Sequence, residues 1–62
     1  MTLYYGINEG DDEYEAAVSS SASTSKEVEI VVNDTVVSDR QSLLNALENL
    51  RNFILRQNYP PA

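Results

Sequence analysis

The sequence predicts a small α+β protein whose fold depends on association with other chains. Residues 27–32 alternate between polar and apolar side chains, which is typical of a strand. Residues 38–57 carry a continuous apolar stripe at helical spacing, which is typical of an amphipathic helix. Residues 1–25 show neither period. We therefore divide the chain into an extended acidic arm with its linker, residues 1–25, and a strand–turn–helix oligomerisation module, residues 26–62.

The first 15 residues combine aromatic and aliphatic side chains with an acidic cluster between Glu9 and Glu15. Tyrosine is enriched where one protein inserts into pockets of another. We therefore expect this segment to anchor on a partner, and a disordered tail is the alternative. The predicted anchors are Leu3, Tyr4, Tyr5, Ile7 and Tyr14. The acidic cluster lacks the ligand spacing of a calcium-binding loop, so we expect it to be solvated or to face a partner rather than to hold a metal ion.

Residues 16–25 are almost entirely alanine, serine and threonine, a composition typical of a flexible linker. In the predicted strand that follows, Val28, Ile30 and Val32 share one face. Residues 33–35 then signal a turn. After the turn, residues 36–37 either pair back as a short second strand or lead in extended form into the helix.

The predicted helix begins after Ser38, whose hydroxyl can cap the first turn, with Gln41 completing a capping box. It ends before Pro60, because proline cannot continue a helix. The rest of the chain offers too little apolar surface to enclose the stripe. We therefore predict that the stripe forms the interface of a dimer or trimer, through Leu43, Leu47, Leu50, Phe53 and Ile54.

The amino-acid composition argues against several kinds of stabilising feature and several kinds of partner. The 62 residues include ten acidic and four basic side chains, for a net charge of −6, and contain no cysteine or histidine. Disulfides and zinc fingers are therefore excluded as stabilisers. The negative charge disfavours nucleic acid and anionic membranes as partners. No apolar run approaches the ~20 residues of a membrane span, and no signal-sequence pattern opens the chain. We expect no catalytic group and no cofactor.

The stretch Glu27-Val-Glu-Ile-Val-Val, followed by residues 38–51, resembles small accessory proteins of tailed phages that decorate or cement the capsid or bind at a head vertex. The resemblance covers residues 27–56. It implies an oligomer seated on a major capsid protein and located in the virion, with an arm reaching over neighbouring subunits. Without a viral origin, we expect a cytoplasmic location.

We therefore expect a non-enzymatic structural protein that binds itself and a larger protein assembly. The alternative is a small acidic regulator, such as an antitoxin, an inhibitor or a nucleic-acid mimic, that blocks a basic surface of its partner. A third option is a small subunit of a cellular enzyme complex.

Overall fold

The computed structural model describes residues 1–61 and confirms the α+β fold. Three antiparallel strands form one sheet: β1 is Thr2–Ile7, β2 is Ala17–Ser19 and β3 is Val28–Asn33. The strand order is β2-β1-β3. One helix, α1, spans Arg40–Arg56, and a single 3₁₀ turn spans Glu13–Glu15. Ala62, the last residue of the predicted oligomerisation module, lies outside the described residues.

The structure differs from the prediction for residues 1–25. Instead of an arm and a linker outside the folded module, β1 is the central strand and pairs with both other strands. Tyr5, for example, lies opposite Val18 of β2 and Ile30 of β3. Residues 3, 5 and 7 do alternate, but the aromatic Tyr4 between them hides that period. The N-terminal segment is therefore part of the sheet.

The sheet has one apolar face and one mixed face. Because strand side chains alternate and opposite residues in the ladder share a face, the register assigns each residue to one side. The mixed face includes Tyr4, Gly6, Glu29 and Val31. The apolar face is formed by Leu3, Tyr5, Ile7, Val18, Val28, Ile30 and Val32.

Residues 20–26 fold onto the mixed face, and Gly6 makes this possible. Gly6 is buried, and a Cβ placed on it would collide with the hydroxyl oxygen of Thr24 and lie 2.9 Å from Cβ of Lys26. The hydroxyl of Ser23 and the backbone amide of Thr24 both donate to Glu29 Oε2, at 2.9 and 2.6 Å. The segment predicted as a flexible linker is therefore fixed to the sheet by β1 and β3.

The turn after β3 leads directly into α1. The side-chain oxygen of Asn33 accepts the Thr35 amide at 3.0 Å, and the Asn33 carbonyl accepts the amides of Val36 and Val37. Residues 36–37 therefore form no second strand. Asp39, not Ser38, precedes the first helical residue, and its side chain makes no capping hydrogen bond.

The predicted capping box is also absent, because Gln41 points along the helix. Its side-chain nitrogen donates to Asn45 Oδ1 at 2.9 Å, one turn further on. This pair is exposed on the polar side of the helix. With Asp39 instead of Ser38 at the cap position, the helix begins one residue later than predicted.

The core lies between β3 and the N-terminal half of α1. Within residues 1–61, Val32 is the single buried hydrophobic residue, with 6 % of its surface exposed. A cleft of about 190 Å³ separates Ile30 and Val32 of β3 from the helix residues Leu43, Leu47 and Leu50. Leu43 and Leu47 are half-buried there. The chain thus covers one end of its apolar sheet face and leaves the other end open.

Candidate interaction surface

The structure divides the five predicted interface residues into two groups. Leu43 and Leu47 face the protein's own sheet, since both line the cleft beside Val32 and are half-buried. Leu43 also lines a second cleft, with Leu3 and Tyr5 of β1. These two leucines therefore contribute to the core of the single chain.

The other three predicted interface residues are exposed, and one of them, Leu50, also lines the cleft beside Val32. Leu50, Phe53 and Ile54 continue the same apolar stripe toward the C-terminal end of α1, and we call them the helix patch. Phe53 is the most exposed of the three, at 62 %. Clustered large apolar side chains on a surface are a common feature of interaction sites. The helix patch is therefore the part of the predicted interface that is available to a partner.

Four of the five predicted anchor residues lie in the central strand. Leu3, Tyr5 and Ile7 belong to the apolar face of the sheet, and Tyr4 lies on the mixed face opposite Ser19 and Val31. The structure thus brings these residues together as strand residues instead of presenting them on an arm. Only Tyr14 stands away from the sheet: it lies in the 3₁₀ turn and is 88 % exposed.

The open end of the apolar sheet face forms a second exposed region. Tyr5, Ile7, Val28 and Ile30 line an open cavity of about 200 Å³ together with Ala16. Tyr5, Val28 and Val18 are exposed around it. We call this region, formed by Tyr5, Ile7, Val18 and Val28, the sheet patch.

The total solvent-accessible surface is large for the size of the chain. A compact monomer of 6.9 kDa is expected to have a solvent-accessible surface of about 4,000 Å², whereas this chain has 5225 Å². Its radius of gyration is 12.7 Å, against about 10.5 Å for a compact domain of this length. The excess of about 1,200 Å² exceeds the ~800 Å² that each partner contributes to a standard protein–protein interface. The single chain therefore has enough surplus surface for at least one such contact.

The acidic cluster is partly used to hold the loop after β1. Asn8 connects this loop to the start of β3: its amide donates to Asp11 Oδ2 at 3.1 Å, and its side-chain oxygen accepts the Glu27 amide at 2.9 Å. Asp12 Oδ1 accepts the Tyr14 amide and so begins the 3₁₀ turn. Within residues 1–61, no cluster of three or more acidic side chains is arranged to hold a metal ion.

The pKa of the Glu29 carboxyl is displaced by its hydrogen-bond donors. Hydrogen bonds from the Thr24 hydroxyl and the Thr24 amide, with a further one from Ser23, hold the pKa of Glu29 below its ordinary value of 4.5. Donors that point at a carboxylate favour its charged form. Glu29 therefore serves as the attachment point of residues 20–26 to the sheet.

Charge is distributed unevenly between the sheet and the helix. Residues 1–39 hold nine acidic side chains and one lysine, a net charge of −8. Residues 40–62 hold Arg40, Arg51, Arg56 and Glu48, a net charge of +2. The helix is thus the basic part of an acidic protein.

In the part of the chain that the structure describes, no helix has the length and apolar character needed to cross a bilayer. Searches against protein-family models, curated proteins and solved structures find no match to this chain.

Proposed function

We propose that this protein is a non-enzymatic structural protein that binds copies of itself and a larger protein assembly. The observation that carries the proposal is the exposed apolar surface, which includes the helix patch at Leu50, Phe53 and Ile54. Transfer of such side chains out of water is favourable by about 25 cal/mol per Å². An open core with one buried apolar residue among those described gains stability when a second molecule covers these side chains.

The most specific form of the proposal is a capsid decoration or cement protein of a tailed phage, located in the virion. This form of the proposal is supported by the resemblance of residues 27–56 to small accessory proteins of tailed phages. The partner would then be a major capsid protein, and Tyr14, the most exposed tyrosine, would supply an aromatic contact to it. Neighbouring genes that encode head proteins would support this form, whereas neighbours from a toxin operon would favour a regulator.

The alternative role, an acidic regulator, needs carboxylates that are free to meet a basic surface. Asp11 and Asp12 already accept backbone amides of their own loop, and Glu27 accepts the Glu9 amide at 2.8 Å. Glu13 and Glu15 are exposed on the 3₁₀ turn. Because part of the cluster has an internal role, we prefer the assembly function.

Phe53→Asp tests the proposal, with Asn52→Asp as its matched control. Both substitutions place one negative charge at an exposed position of α1, but only Phe53 belongs to the helix patch. We expect the wild-type protein to sediment as an oligomer above 6.9 kDa at micromolar concentration. Phe53→Asp should lower the sedimenting mass and weaken association by about tenfold or more, because an apolar contact of ~1.5 kcal/mol or more is lost.

Asn52→Asp should leave the sedimenting mass unchanged. A wild-type protein that remains monomeric at every concentration would contradict the proposal. Equal loss of mass in the two variants would show that added charge, and not the apolar patch, governs association.

A further inference from the structure

A second face of α1 carries four exposed residues that the apolar stripe does not include. Leu44, Glu48, Arg51 and Leu55 follow one another at spacings of four, three and four residues. At about 100° per residue, these positions fall within an arc of about 60° on one side of the helix. Leu44 is 49 % exposed and Leu55 is 65 % exposed. We call these four residues the side face.

The side face is complementary to itself when its order is reversed. Read from either end, a leucine is followed by a charged residue, and the two charges have opposite signs. If two copies of α1 run antiparallel and cross midway between residues 49 and 50, Leu44 lies opposite Leu55 of the partner subunit. Glu48 then lies opposite Arg51 of the partner subunit, and two-fold symmetry repeats both contacts.

The charges also distinguish between the two helix orientations. A parallel pair would place Glu48 against Glu48 and Arg51 against Arg51, which is repulsive. Within residues 1–61, the ion pairs join the Met1 amino group to Asp34 and Lys26 to Asp11. Glu48 and Arg51 are both exposed on the helix and take part in neither pair, so both are available to another molecule.

We infer that the side face binds the side face of a second copy of this chain, with the two helices antiparallel. The inference rests on the proposed function, because it specifies how the protein binds itself. The second copy is favoured over an unrelated partner because the sequence of the side face supplies both halves of the contact. This contact leaves the helix patch exposed for a second contact between copies, which is the contact that Phe53→Asp tests.

Charge reversal at the side face provides the first test, by sedimentation equilibrium at low salt. Glu48→Arg alone and Arg51→Glu alone each place like charges opposite one another, so each should weaken self-association several-fold. The double variant Glu48→Arg/Arg51→Glu restores opposite charges and should recover the wild-type association. Circular dichroism on each variant checks that α1 is retained.

Disulfide trapping provides the second test, and the natural chain contains no cysteine that could interfere. In the double variant Leu44→Cys/Leu55→Cys, the two positions of one helix are about 16 Å apart, too far for a disulfide within the chain. Mild oxidation should give a covalent dimer, and peptide mapping should identify a bond between Cys at position 44 and Cys at position 55.

The outcomes separate this inference from the proposed function. Bonds that join only equal positions would show parallel helices and overturn the inference. An oligomeric wild-type protein with no cross-link and no response to charge reversal would also overturn it, while the proposed function would stand. A wild-type protein that is monomeric throughout would overturn both.

Discussion

Position 6 has no room for a side chain larger than the hydrogen atom of glycine. The residue is buried in the central strand, and the Thr24 hydroxyl crosses directly over it. We expect Gly6→Ala to lower the free energy of unfolding by about 1–3 kcal/mol, because the added methyl group forces residues 24–26 away from the sheet. Urea denaturation at a fixed protein concentration measures this change.

A double-mutant cycle tests the physical cause. Thr24→Ala removes the hydroxyl that a Cβ at position 6 would meet. Gly6→Ala should therefore cost less in the Thr24→Ala background than in the wild-type protein. Strictly additive costs would contradict the described contact between residues 6 and 24.

At the scale of elements, Glu29 connects residues 20–26 to β3. Because the hydrogen bonds from Thr24 hold the pKa of Glu29 below 4.5, this carboxylate contributes stability that is fully present above pH 4.5. The contribution is lost as the pH falls through the pKa that Glu29 has in the folded protein. Glu29→Gln should therefore destabilise the protein more at pH 7 than at pH 3.

The measurement is the free energy of unfolding at both pH values, at constant protein concentration. Glu15→Gln is the control, because Glu15 is exposed on the 3₁₀ turn. Glu15→Gln should have nearly the same free energy of unfolding as the wild-type protein at both pH values. A cost of Glu29→Gln that is the same at pH 7 and at pH 3 would contradict the role assigned to the Glu29 carboxylate.

The sequence predicts β3 and α1 well because each carries its own period. The strand predicted at residues 27–32 is found at Val28–Asn33, and the helix predicted at residues 38–57 is found at Arg40–Arg56. The turn at residues 33–35 is also confirmed, because an asparagine side chain can fold back onto the backbone two residues ahead.

The other two strands could not be predicted in the same way. β2 has only three residues inside a small-residue tract, and it exists because Tyr4, Tyr5 and Gly6 of β1 pair with it. Strand formation of this kind depends on partners that are distant in sequence. Leu3, Tyr5 and Ile7 were predicted as anchors on a partner and not as strand residues, because their strand also depends on pairing with distant residues.

The sequence also could not show which residues of the apolar stripe face the protein's own sheet and which stay exposed. Leu43 and Leu47 face the sheet only because the turn after β3 brings the start of α1 over Val32. The periodicity of the helix does not indicate which part of the stripe its own chain covers. The side face could have been recognised, however, from the spacing of Leu44, Glu48, Arg51 and Leu55.

For the whole molecule, the proposed association also bears on folding, through the exposed apolar surface. The chain has 5225 Å² of accessible surface and one buried hydrophobic residue among those described. Chains of about 60 residues are marginally stable even when they are compact. The proposed association would cover the helix patch and the side face in the folded state alone, and anything that binds the folded state alone stabilises it.

The most direct test is thermal unfolding followed by circular dichroism over a hundredfold range of protein concentration, with the mass measured by sedimentation in parallel. If folding and association are coupled in a dimer of 62-residue chains, the midpoint should rise by about 5 °C for each tenfold increase in concentration. A monomeric mass of 6.9 kDa with one cooperative transition at a constant midpoint would contradict the account.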